Sequence, residues 1–361
     1  MRIAVDAREL VGHATGVGRY LAEVLAEWQA ARVRDRHEVV LVAHGAPVHA
    51  PAGWVEGALV RPGAGGTRWE QWDFTRALAD LRPDVVFAPG YTAPLAAPAP
   101  VALAIHDVSY FAHPEWYAWR EGTRRRVVTA WSARRARLVM APSAFSAREI
   151  VQHLGIETAR VRVVPLGVRP AAAPVAVPRS PLVLFVGSLF QRRRLDVLID
   201  AFRAVAAAHP AARLEIVGAN RTRPHVDFAA QVAALGLGDR VRLRDWVDDA
   251  TLHALYAEAS VFVFLSRYEG FGFTPLEAMA HGAVPVVLDT AVAREIYDDA
   301  AWRIADGRGL TTRVADAVTT LLDHGPARDR LQRAAAPVLA RYRWAETAAH
   351  VLRLLEEAAG A

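Results

Sequence analysis

The run VFVFL, Val261 to Leu265, constrains the fold of this chain more than any other stretch. Five consecutive apolar residues rich in Val and Phe read as a strand covered on both faces, the situation of a parallel sheet packed between helices. SRYEGFGFTPLEAMAHG, Ser266 to Gly282, follows directly. Gly270 and Gly272 let the backbone turn sharply and approach a ligand with no Cβ in the way. Thr274, Pro275 and Glu277 fit the N-cap, N1 and N3 positions of a new helix, so TPLE reads as a capping box ending in N–H groups suited to an anion. Glu269 and Glu277 flank that turn.

Other short apolar runs repeat this layout. RIAVD (Arg2 to Asp6), EVVLVA (Glu38 to Ala43), DVVFAP (Asp84 to Pro89), VALAIHD (Val101 to Asp107), RLVMAPS (Arg137 to Ser143) and RVRVVPLGV (Arg160 to Val168) form a first series. LVLFVG (Leu182 to Gly187), RLEIVG (Arg213 to Gly218), RVRLRD (Arg240 to Asp245), VFVFL and VPVVL (Val284 to Leu288) form a second, with helices expected from there to the C-terminus. Helical patterns lie between many of these runs; Val17, Tyr20, Leu21, Val24, Leu25 and Trp28, for instance, recur on one face. Strands alternating with helices predict doubly wound α/β domains, and 361 residues suffice for two of them. RPAAAPVAVPRSP, Arg169 to Pro181, has no period and reads as the linker.

Composition removes several chemistries. The chain has no cysteine, hence no disulfide, thiolate nucleophile or Cys-ligated zinc, which fits a cytoplasmic protein. All 43 basic residues are arginine, and the absence of lysine excludes a P-loop and a pyridoxal Schiff base. A net charge of +5 suits anionic partners such as nucleotides or phospholipid headgroups; nucleic-acid binding has no motif behind it. No signal peptide is read at MRIAVDARELVG. The uncharged stretch Val85 to Ile105 is long enough to span a bilayer, but four prolines would break it as a helix.

Candidate ligand-binding residues gather where strands end, as in open α/β sheets generally. Gly12, Gly16 and Gly18 punctuate the loop after the first strand, although TGVG lacks the third glycine of the dinucleotide fingerprint and suits a plain tight turn equally. His106 and Asp107 close the fourth apolar run; His106 is a ligand-binding candidate or a satisfied structural histidine. Arg192, Arg193 and Arg194 follow Gly187, where guanidinium forks could neutralise a diphosphate or simply be solvated. Glu277, held ionised at a helix start, could accept both hydroxyls of a ribose diol. Glu269 has no capping role, which favours a polar ligand.

Between Pro114 and Arg137, seven arginines (120, 124, 125, 126, 134, 135 and 137) mix with Trp116, Trp119 and Trp131. That mixture suggests docking on an anionic membrane. On a helical wheel Val127 and Trp131 fall beside Arg120, Arg124 and Arg135, so the faces do not separate, and a solvated face is the other reading.

TGVGRYLAEVL, HDVSYFAHPEWY, APSAFSAREIV, RVVPLGV, FVGSLFQRRRLDVLIDAF and SRYEGFGFTPLEAMAHGAVPVV occur in this order over nearly the whole chain. Together they resemble glycosyltransferase family four, the retaining nucleotide-sugar transferases, with Glu269 and Glu277 as the family's Glu-x7-Glu pair. The resemblance implies a GT-B architecture of two Rossmann-like domains facing across a cleft. Its expected boundaries are an acceptor-side domain at 1–168, a linker at 169–181, a nucleotide-sugar domain at 182–343 and a helix at 344–361 that packs back on the first domain.

The resemblance also implies roles. Gly16 and Gly18 approach the donor diphosphate, His106 contacts the transferred sugar, and Arg192 and Arg193 bind the diphosphate, with Arg193 in place of the usual lysine. Ser188 in the same loop stands where some relatives have a phosphate-binding arginine. Glu269, Gly270 and the amides of Phe271 and Gly272 hold the sugar, and Glu277 holds the ribose. No Asp-x-Asp at a strand end offers to hold a divalent ion, so no metal and no cofactor are expected beyond the nucleotide sugar itself. HPEWY resembles relatives that build surface polysaccharides, often from GDP-mannose. The expected acceptor is a saccharide or lipid-linked saccharide, with peripheral contact at the inner face of the plasma membrane. The alternatives are a sugar-nucleotide epimerase of the same fold and a non-catalytic membrane or glycan binder.

Overall fold

The computed structural model describes residues 1–12, 15–169, 180–323 and 325–360. The chain divides into two compact units, Met1–Gly167 joined by Tyr342–Ala361, and Val168–Arg341. Residues 170–179 of the expected linker lie outside the described residues.

The first unit holds a seven-stranded sheet in the order β3-β2-β1-β4-β5-β6-β7. Its strands are β1 (Arg2–Asp6), β2 (Glu38–Ala43), β3 (Leu59–Val60), β4 (Val85–Ala88), β5 (Val101–Ala104), β6 (Leu138–Ala141) and β7 (Val161–Val163). Every pairing is parallel. β4, β5 and β6 are buried at every residue, as near-continuous apolar runs require between two helix layers. The Gly16–Ala30 helix turns Tyr20, Leu21, Val24, Leu25 and Trp28 inward. Trp28 Nε1 donates to Ala348 O at 2.9 Å in the last helix, Trp344–Ala359, which packs on this unit.

The second unit holds a six-stranded sheet in the order β10-β9-β8-β11-β12-β13, again wholly parallel. Its strands are β8 (Leu182–Val186), β9 (Arg213–Val217), β10 (Val241–Arg244), β11 (Val261–Phe264), β12 (Val284–Leu288) and β13 (Trp302–Ile304). β8 and β11 are neighbours at the point where strand order reverses, and Phe185 stacks on Phe264 between them at 6.0 Å. The chain therefore has the two parallel Rossmann-like α/β sheets of a GT-B protein.

Three expectations change. β13 lies in a region expected to be all helix, and β3 has no counterpart among the apolar runs, so His106 follows the fifth strand and not the fourth. Both strands are two or three residues long, and β13 has Arg303 at its centre, leaving no apolar run to detect. RVRVVPLGV contracts to Val161–Val163.

Candidate active site

In the second unit the loop after β8 curls back on itself. Gly187 has φ +137, and a Cβ there would lie 2.5 Å from Arg193 Nη1. The space it leaves lets Nη1 donate to Ser188 O at 3.0 Å. Arg193 Nε donates to Glu269 Oε1 at 2.9 Å, which joins the loop after β8 to the loop after β11. Ser266 Oγ donates to the same Oε1 at 2.9 Å. Glu269 Oε2 is left without a hydrogen-bond partner among the described residues. The Arg193 guanidinium lies over the Phe264 ring at 5.0 Å, and that of Arg192 over Phe190 at 4.4 Å, so both forks are braced by aromatic faces. Arg194 turns elsewhere, to Asp306 at 3.4 Å and Asp196 at 3.7 Å. The sequence could not apportion the three arginines; here Arg193 alone meets Glu269.

The turn after β11 differs from the expected capping box. The helix runs Phe273–Ala280 and its N-cap is Gly272, at φ +82 with no side-chain cap. A Cβ on Gly272 would sit 1.9 Å from Tyr297 Oη, which instead donates to Gly272 O at 2.7 Å. Thr274 is thus inside the first turn, and its hydroxyl oxygen is buried with no partner among the described residues. Glu277 falls beyond N3, on the buried side of the helix, where its Oε2 accepts from Tyr256 Oη at 3.1 Å. The left-handed conformation of Gly272 sets the helix start two residues earlier than Thr274. His281 stacks on Tyr256 at 5.3 Å and its Nδ1 donates to Glu277 O at 2.8 Å, so the Glu277 end of this helix is held from two sides.

In the first unit the glycines also move from loop to helix. Thr15 caps the Gly16–Ala30 helix by accepting from Gly18 N at 2.9 Å, and its hydroxyl donates to Glu9 Oε2 at 2.7 Å. Gly18 is required for contact, since a Cβ would meet Glu9 O at 2.2 Å; around Gly16 the space is open. His106 Nε2 lies 2.8 Å from Pro89 O. A carbonyl only accepts, so the proton sits on Nε2 and Nδ1 keeps its lone pair. Burial lowers the His106 pKa, against the Pro89 bond and the Asp107 and Glu9 charges that act the other way, and favours this neutral form. Tyr20 and Tyr91 hold the ring edge-on at 5.0 and 5.7 Å.

A polar cluster absent from the sequence reading stands at the end of β1. Arg8 Nη2 reaches Asp6 Oδ2 at 2.7 Å and Glu70 Oε1 at 2.6 Å. Thr92 Oγ1 also donates to Glu70 Oε1, at 2.6 Å, and Gln71 Nε2 to Glu70 Oε2, at 3.0 Å. Burial alone would lower the Arg8 pKa, but the two carboxylates outweigh it and raise it overall. Glu70 lies 62 residues from Arg8, too far for any local pattern to join them, and in the structure the π-turn Glu70–Phe74 within the 66–81 helical segment marks the site.

Residues 14–172 match the family model described as Glycosyltransferase Family 4, and residues 180–324 match the one described as Glycosyl transferases group 1. The chain belongs to glycosyltransferase family four. Among curated proteins it is 27% identical to the GDP-mannose:cellobiosyl-diphosphopolyprenol alpha-mannosyltransferase of Komagataeibacter xylinus, over 65% of this chain and 60% of that one. It is 33% identical to the D-inositol 3-phosphate glycosyltransferase of Acidothermus cellulolyticus, over 59% of this chain and 51% of the relative. The match thus spans roughly half to three fifths of these relatives' length. Of solved structures, Anabaena Alr3699/HepE in complex with UDP and glucose superposes with TM-score 0.76 at 19% identity, covering 99% of this chain and 100% of that one. WaaG, described as a glycosyltransferase involved in lipopolysaccharide biosynthesis, superposes with TM-score 0.75 at 16% identity, covering 98% and 99%. These likenesses establish the fold of this family-four chain.

Proposed function

We propose that this protein is a retaining glycosyltransferase that moves a hexose from a nucleotide-diphosphate sugar, with GDP-mannose favoured, to a saccharide or lipid-linked saccharide acceptor. The observation that carries the reading is the Arg193–Glu269 pair, because it couples a cation suited to a diphosphate with a carboxylate whose second oxygen is open to a sugar hydroxyl. The names of the mannosyltransferases of Komagataeibacter and Xanthomonas support GDP-mannose and a polyprenyl-linked acceptor.

In this mechanism Arg192 and Arg193 neutralise the diphosphate, and Gly16, around which the space is open, leaves backbone room beside it, while Gly18 lets the helix start pack on Glu9. The Glu269 carboxylate and the amides of Phe271 and Gly272, beside Gly270, hold the sugar hydroxyls. Ser188 contributes to the donor loop through its carbonyl, which braces Arg193. Glu277, oriented by Tyr256, accepts the ribose hydroxyls. His106 offers Nδ1 as an acceptor to a hydroxyl of the transferred sugar. The acceptor oxygen bonds to the anomeric carbon on the face from which the phosphate departs, the carbon–phosphate oxygen bond breaks, and the acceptor proton passes to the departing phosphate. The positive charge that stabilises this phosphate is supplied by arginine, so the reaction is proposed to run without a metal.

We place the enzyme in the cytoplasm and peripherally at the inner face of the plasma membrane, where a lipid-linked acceptor in surface polysaccharide or glycolipid synthesis would lie. No helix among the described residues is long and apolar enough to cross a membrane. The test is incubation with GDP-mannose and a polyprenyl-diphosphate disaccharide. Acceptor-dependent GDP release with an α-linked product by NMR supports the proposal; a β-linked product, or consumption of donor without transfer to acceptor, overturns it.

A further inference from the structure

The Trp119–Arg135 helix is inverted relative to an ordinary helix on a globular surface. Its buried residues are Gly122, Thr129, Ser132 and Ala133, all small, whereas its large apolar side chains face outward. Trp119 is 77% exposed, and Val127 and Trp131 are 50% exposed each. At 100° per residue these three fall within one third of the helix circumference together with Arg120 and Arg134, and Arg124 and Arg135 lie within about 40° of its edge. The residues buried against the unit lie opposite. The mixed wheel seen in the sequence is therefore one surface on which tryptophan and arginine alternate.

The charge on that surface is uncompensated. Among the described residues none of the four arginines meets a carboxylate; Arg124 donates to Thr67 Oγ1 and Arg135 to Leu95 O. Glu121, the helix's one acidic residue, lies off the arc and pairs with Arg125 at 2.8 Å. The Arg124–Thr67 bond also ties this helix beside the segment that carries Trp72, itself 68% exposed between the exposed Arg68 and Arg76.

We propose that this face of the first unit docks on an anionic phospholipid bilayer, with Trp119, Val127 and Trp131 at the headgroup level and Arg120 and Arg134 on lipid phosphates. Tryptophan is suited to the interface by its apolar body and polar N–H, and arginine can keep its stem against apolar surface while its head meets phosphate. A second copy of the chain fits poorly: a two-fold contact would set four unpaired arginines against four others with no acid between them. The proposal specifies the surface for the membrane contact suggested above, but it stands on exposure and charge and is independent of the donor chemistry.

The experiment is sedimentation of the full chain with vesicles of phosphatidylcholine, with and without phosphatidylglycerol. The chain should bind only the anionic vesicles, with affinity falling as salt rises. The Arg120→Gln/Arg134→Gln double variant should lose about 30-fold in partitioning, the effect of two basic residues near such a surface. Trp119→Ser/Trp131→Ser should abolish the vesicle-induced blue shift of tryptophan fluorescence. Both double variants should keep the wild-type melting temperature and donor affinity, because these side chains project from the unit; loss of donor chemistry alone would instead count against the proposed function. Equal binding to neutral vesicles, unaltered binding by both double variants, or a dimer in solution that Trp131→Ser dissociates would overturn the proposal.

Discussion

Each sheet places an arginine against carboxylates just after the strand where the order reverses, β1 in the first unit and β8 in the second, but the two clusters are built differently. Arg8 faces two carboxylates, Asp6 and Glu70, which are buried and whose oxygens are also used by Thr92 and Gln71. Arg193 faces one, Glu269, with side chains 14% and 17% exposed and a carboxylate oxygen left over. A saturated cluster with buried carboxylates ties elements together, while a pair whose carboxylate is partly exposed and keeps spare hydrogen-bonding capacity can take a ligand at little expense to the fold.

The largest effect expected is on stability, from Arg8→Ala. Leaving Asp6 and Glu70 buried without their cation should destabilise the protein by about 3–5 kcal/mol, read from the denaturant midpoint. A loss under about 1 kcal/mol would erase the contrast between the clusters. Glu269→Ala should behave oppositely, lowering transfer about 10²–10³-fold with a melting temperature close to wild type. GDP affinity should stay largely intact; parallel loss of transfer and GDP binding would reassign Glu269 from the sugar to the diphosphate.

Finer substitutions sharpen the second cluster. Arg193→Ala should weaken GDP binding about 10- to 100-fold, the worth of a charge-assisted bond, whereas Arg194→Ala should leave it within about threefold because that fork faces Asp196 and Asp306. Calorimetric titration of both variants decides whether the pairing seen here divides the arginines correctly. Tyr256→Phe removes one bond to Glu277 and should raise the donor KM about fivefold with kcat little changed. A drop in kcat alone would place Glu277 nearer the reacting sugar.

The smallest effect concerns pH and the first unit. Burial depresses the His106 pKa in the folded protein, so the unfolded chain takes up a proton that the folded one refuses. Stability contributed by neutral His106 is full above the unfolded value of about 6.5 and declines as pH falls from there toward the folded pKa. The wild-type stability minus that of His106→Asn should be flat above that value and decrease below it; a difference that rises on acidification would mean the imidazole is charged in the folded state.

Much of the architecture was readable from local patterns. RIAVD, EVVLVA and VPVVL coincide with β1, β2 and β12 end to end, because only burial in a parallel sheet satisfies such runs. TPLE was misleading for a physical reason: it has the letters of a capping box, yet Gly272 under Tyr297 already supplied the cap, and Glu277 went to Tyr256 instead. Thr15, in contrast, is a true cap, and it holds the glycines that follow it.

The sequence by itself determined two series of buried parallel strands, the glycines at their ends and the family to which they belong. Only the tertiary structure decided that Arg193 meets Glu269, that Arg8 is locked between Asp6 and Glu70, and that the Trp119–Arg135 helix turns its small residues inward. Strand and helix patterns are local and repeat every two or 3.6 residues. Glu269 lies 76 positions from Arg193 and Glu70 lies 62 from Arg8, and a helix's inward face is chosen by the surface it packs on.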